Sequence, residues 1–149
     1  VVLPVLLGLV AVGMTLEVAG CGGDSVAPGA TVRVYVGADL CSEVRRADGE
    51  AGDVHVEAIC VDPVKSGGRL DLATIGANAR RATEDSSTIA YVESRGPANR
   101  FSQTIIEEAG IAWTLASSGE KAMQRVLAAV EAAGSGPLRD EVRQALEAE

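Results

Sequence analysis

The sequence holds one histidine, His55, and no second to work beside it. No serine or cysteine stands with it in a nucleophile–base pattern, so His55 is read as an outward-facing strand residue, not a catalytic base. Also missing are G-x-S-x-G, Walker A and G-x-G-x-x-G. The one suggestive run, Ser118-Gly119-Glu120-Lys121, lacks the glycine spacing that lets backbone N–H groups cradle phosphates. No Cys or His residues cluster at zinc spacing, so neither a metal nor another cofactor is expected. Basic residues are scattered: 13 Lys and Arg against 21 Asp and Glu leave a formal charge of −8. Displacing counterions from a phosphate backbone needs a basic stripe, and its lack excludes a nucleic-acid partner. The pairs Arg45-Arg46 and Arg80-Arg81 read as solvated helix faces. A binding protein is expected, not an enzyme.

What is present begins with an apolar run. Residues 1–16 are nearly all apolar, and Val18-Ala19-Gly20-Cys21 follows. This resembles a bacterial lipoprotein signal peptide, in which small residues admit the peptidase and a cysteine thiol carries the lipid. A transmembrane anchor is the alternative, but the run is shorter than the roughly 20 apolar residues a span needs. The resemblance implies a leader over residues 1–20, lipidation of Cys21, and a protein held outside the cytoplasmic membrane by that lipid alone. Residues 21–30, rich in Gly, Ser and Pro, read as a tether.

From residue 31 the periodicities alternate between strand and helix. Val32, Val34 and Val36 with Tyr35 make a strand buried on both faces, as at the centre of a parallel sheet. Residues 40–48 suggest a short helix, and Asp48-Gly49-Glu50-Ala51-Gly52 breaks it. Val54, Val56, Ala58 and Cys60 alternate against His55, Glu57 and Ile59 as a second strand. Asp71 caps a helix to about Asp85 with Ile75, Ala79 and Ala82 on one face. A third strand spans 88–92. Pro97 opens a helix whose inner face is Phe101, Ile105 and Ala109. After a fourth strand over 111–115, Ser117 and Glu120 form a capping-box pattern. The helix they open buries Met123, Val126, Leu127 and Val130, and Leu138, Val142 and Leu146 mark a last helix. Residues 31–149 thus predict a single α/β lobe. It is a three-layer αβα, flavodoxin-like fold on a four-stranded parallel sheet in the order 2-1-3-4.

The chain has three cysteines. With Cys21 assigned to the lipid, Cys41 and Cys60 remain, each at the carboxyl end of neighbouring strands in an oxidising compartment. A disulfide is expected, closing a loop of about 20 residues and contributing ~3 kcal/mol. Two independent buried thiols are the alternative.

In an open parallel sheet, ligands bind outside the carboxyl ends of the strands, here loops 37–42, 62–70, 93–97 and 116–119. The last two precede helices, so backbone N–H groups with hydroxyls of Ser94, Ser117 and Ser118 could hold a carboxylate, capping being the alternative for these serines.

Gly76-Ala77-Asn78-Ala79-Arg80-Arg81-Ala82, Ile89-Ala90-Tyr91-Val92 and Glu108-Ala109-Gly110-Ile111, with the leader and Val32 to Val36, resemble the first lobe of type I periplasmic solute-binding proteins of branched-chain amino-acid ABC transporters. The likeness covers most of 31–118 and resumes at Gly119-Glu120-Lys121-Ala122-Met123, similar to the helix that returns to the first lobe. It implies a small solute such as an amino acid, held by loops corresponding to 94–99 and 116–118, with Ser94, Gly96, Asn99, Ser117 and Ser118 as ligand-binding residues. It also implies an ABC permease or a second lobe as partner. The chain passes directly from fourth strand to returning helix without a second lobe, and Arg95-Gly96-Pro97-Ala98-Asn99 departs from the family's small-residue loop. A single-lobe interaction module that has lost transport is therefore the alternative, and an enzyme on this scaffold ranks last.

Overall fold

A computed structural model describes residues 27–44, 48–65, 70–134 and 138–147. The expected leader, Cys21, most of the tether and the Arg45-Arg46 pair lie outside them. β1 (Thr31–Val36) is central, pairing in parallel with β3 (Val54–Cys60) on one side and β4 (Thr88–Glu93) on the other. β5 (Ala112–Leu115) adds in parallel beyond β4. These are the four strands the alternation predicts. A fifth, β2 (Gly49–Ala51), runs antiparallel against β3 at the edge, so the sheet is five-stranded and mixed, in the order β2-β3-β1-β4-β5, rather than purely parallel with four strands. The run read as a helix breaker forms this hairpin. Gly52, at φ 61°, supplies the positive φ that a two-residue turn needs, and Glu50 pairs opposite His55, whose Nδ1 lies 2.9 Å from Glu50 Oε1.

Helices cover both faces. On one side α1 (Cys41–Val44), α4 (Gly119–Ala133) and α5 (Leu138–Glu147) bury Val44, Met123, Val126 and Val142 against Val34, Val36, Val56 and Val92. On the other, α2 (Leu72–Glu84) and α3 (Asn99–Glu108) enclose Tyr35, Ala79, Ala82, Tyr91, Ile106 and Ile111. Alternation along β1 and β4 sends Val34 and Val36 to the first layer and Tyr35 and Tyr91 to the second. Leu127 is partly buried beside the first core.

Two expected details change. The fully buried residues of α3 are Ser102 and Ile106; of the expected inner face, Ile105 packs partly buried against the second core, while Phe101 and Ala109 are exposed. The Phe101 ridge turns toward α2, where a Cβ on Gly76 would come within 3.2 Å of the Phe101 ring, and Phe101 stays 42% exposed. Pro97 lies in the turn before α3, which begins two residues later. At α4 the N-cap is Ser118, whose Oγ accepts from Lys121 N at 3.5 Å, so the capping box expected from Ser117 and Glu120 does not form. Glu120 accepts instead from Gln124.

The helix ends obey local rules. Asp71 caps α2 through Thr74 N and Thr74 Oγ1, which hold its carboxyl below its ordinary range. α3 closes in a Schellman arrangement: Gly110 N donates to Glu107 O, Ile111 N donates to Ile106 O, and both isoleucines join the second core. Cys41 and Cys60 form a disulfide with Cα atoms 5.7 Å apart, tying the start of α1 to the end of β3.

Candidate functional site

The strand order reverses at β1: the chain moves from β1 out to β3, then back across to β4. The loops after these strands therefore splay apart, and a cavity of about 910 Å³ opens at their carboxyl ends, within the range of small-molecule sites. Its floor is Gly37, Val61 and Tyr91; one rim is residues 62–65 with Leu70 and Asp71, the other is Glu93, Ser94 and residues 96–99. Continued ladder bonds fix the floor: Gly37 N donates to Val92 O, Val61 N to Val36 O and Ala116 N to Glu93 O.

Each rim is held by an asparagine side chain. Asn78, 2% exposed on α2, donates from Nδ2 to Asp62 O at 2.9 Å and accepts from Asp62 N at 3.2 Å, which pins the loop leaving β3. Asn99 does the same for the loop leaving β4. Its Oδ1 accepts from Gly96 N, and its Nδ2 donates to Ser94 O and Glu93 Oε2, both at 3.1 Å. Glu93 Oε2 also accepts from Ser102 Oγ at 2.6 Å and Trp113 Nε1 at 3.0 Å, so one carboxylate gathers β4, α3 and β5.

Of the residues singled out from sequence, Ser94, Gly96 and Asn99 line this cavity and Ser117 and Ser118 do not. Ser117 is exposed. Ser118 Oγ donates to Glu43 Oε2 at 3.0 Å, and Gly119 N donates to the same oxygen at 2.8 Å. The positive end of α4 thus already has an anion, a carboxylate from α1.

Tyr91, Glu93, Asp39 and Asn78 line the cavity too, and the sequence alone does not single them out as site residues. A signal existed for two of them. Tyr91 and Glu93 are two apart at the carboxyl end of a strand, so they share a face just where ligands bind. Asn78 falls in the helical run 76–82, but only the fold shows that it meets Asp62. Burial, with the Glu93 charge adding to it, pushes the Tyr91 phenol up despite Arg81, so it remains a neutral donor and acceptor.

At the opposite end of the sheet Asp85 accepts from Ser87, from Arg33 at 3.1 Å and from Tyr35 at 3.0 Å. Burial opposes its ionisation, yet these bonds win and hold the carboxyl at about 2. The cluster locks β1 to the turn before β4 and lies apart from the cavity lining.

Among the described residues no three Cys, His, Asp or Glu side chains are grouped to hold a metal ion, and no helix is long and apolar enough to cross a membrane. Comparison with family models, curated proteins and solved structures returns no match.

Proposed function

We propose that this chain is an extracytoplasmic lipoprotein, anchored through Cys21, whose α/β lobe binds a small solute such as an amino acid. The observation that carries the reading is the cavity at the β1/β4 reversal, edged by loops that Asn78 and Asn99 hold in place before any ligand arrives. Preset loops spare a ligand the cost of ordering them, which favours binding. The Cys41–Cys60 disulfide supports an oxidising compartment. In this reading an ABC permease is the downstream partner, and the chain performs no catalysis of its own.

A second reading, an interaction lobe that has left transport, is favoured by one feature. Val64 and Leu70, 45% and 53% exposed, stand on the cavity's open rim. Such side chains suit a covering lobe or partner. Titration calorimetry of the chain against free amino acids, small carboxylates and small amines separates the two. Saturable heat with a defined stoichiometry is expected for the solute-binding lobe, and no heat from any solute at millimolar concentration refutes it.

A further inference from the structure

The polar groups of the cavity are unequally committed. Glu93 spends Oε2 on three donors, while its Oε1 accepts nothing among the described residues. The Asp39 carboxylate and the Ser94 hydroxyl also line the cavity without a hydrogen-bond partner among the described residues. Tyr91 is the sharpest case: its side chain is 1% exposed, it lines the cavity, and its hydroxyl meets no partner among the described residues. That hydroxyl opens on the cavity, where a ligand atom can take the place of water as its hydrogen-bond partner.

The free positions are mostly acceptors, and the lining is acidic. Among the described lining residues, Asp39, Asp62, Asp71 and Glu93 stand against one cation, Lys65. Asp62 lies 3.7 Å from Arg81, and Asp71 is engaged with Thr74 and influenced by Lys65, so the negative charge left to a ligand is that of Asp39 and Glu93. Two carboxylates beside a phenol hydroxyl and an apolar wall suit an organic cation. Val61, Leu70, Ile75 and Pro97 supply an apolar wall.

Building on the solute-binding reading above, we propose that this cavity selects a small amine with an apolar body. Its ammonium donates to Glu93 Oε1 and the Tyr91 hydroxyl, and its body lies along Val61, Leu70 and Ile75. Tyr91 and Glu93 are two residues apart on β4, so both reach the same face of the sheet. A carboxylate on the solute meets Asp39 and Glu93 and is repelled. The selectivity expected is therefore cation over zwitterion over anion.

Phenethylamine, phenylalanine and 3-phenylpropionate share one body and differ in charge, so titration of the chain with each reads that selectivity directly. Phenethylamine is expected to bind saturably, phenylalanine more weakly and 3-phenylpropionate not at all. Tyr91→Phe removes a hydroxyl bonded to no other described residue, so its melting temperature in the absence of ligand should stay close to the parent's while its affinity for phenethylamine falls about tenfold. Asp39→Asn, at an exposed position, should weaken the amine about threefold without changing the fold. Phenylalanine or 3-phenylpropionate binding as tightly as the amine overturns the selectivity and leaves solute binding standing. Amine binding unchanged in Tyr91→Phe overturns the assigned contact. No binding by these three while another small solute binds overturns the amine assignment alone, and no binding by any solute removes both.

Discussion

Asn99 shows how a single amide can set a site. Its oxygen and nitrogen together engage two groups of the loop after β4 and the Glu93 carboxylate that ends the strand, so both of its N–H donors are committed within the protein. Its role is positioning. Asn99→Ala should cost about 1–2 kcal/mol in urea unfolding and loosen solute binding in parallel, because the loop loses its internal bonds. Asp85 makes the complementary case, a charge that serves the fold. Its carboxyl is held at about 2, below its ordinary 3.8, so its stabilisation is fully present above about pH 4 and is lost as pH falls through about 2. Urea midpoints measured from pH 5 to pH 2 should fall in that window, and Asp85→Asn should flatten the slope while lowering stability at neutral pH. Neither role is visible in the sequence. The sequence offers Asn99 as a ligand-binding residue and Asp85 as the end of a helix; their partners Glu93, Arg33 and Tyr35 stand on strands remote in sequence.

At the level of elements, two close approaches decide how the helices sit. A Cβ on Gly119 would lie 2.7 Å from Leu40 O and clash with Val44 Cγ2, so the first turn of α4 rests directly on α1. Gly119→Ala should push these elements apart at a cost of about 1–3 kcal/mol, read as a lower melting temperature. Gly76 plays a milder part beneath Phe101, which explains why the expected inner face of α3 was displaced. Periodicity locates an apolar stripe but not whether it meets the sheet or a neighbouring helix. The elements with strong local patterns, β1, β3, β4, α2 and α4, fall close to where alternation and helical spacing put them. The edge strand β2 escaped because three residues carry too little pattern, and its Gly-Asp turn reads equally as a loop. The cap of α4 shifted by one residue since two adjacent serines offer the same chemistry, and Glu43, distant in sequence, favours Ser118.

Across the whole molecule, the disulfide and the cavity are placed by one topological fact. Cys60 ends β3, Cys41 follows β1, and both strands end beside the cavity floor. Reducing the bond opens a loop of 19 residues and should lower stability by ~3 kcal/mol, seen as a lower urea midpoint with reductant than without. The position of the cavity was legible from the order of the parallel strands alone. Its chemistry was not, since Tyr91, Glu93 and Asp39 come from separate segments and acquire meaning only where the loops splay. The central claim is that a small solute occupies this cavity, and backbone amide shifts of the labelled chain test it most directly during titration with amino acids and small amines. Saturable changes concentrated at residues 37–39, 62–65 and 93–99 are predicted. Changes confined to residues 117–121, or none anywhere at saturating solute, would contradict the account.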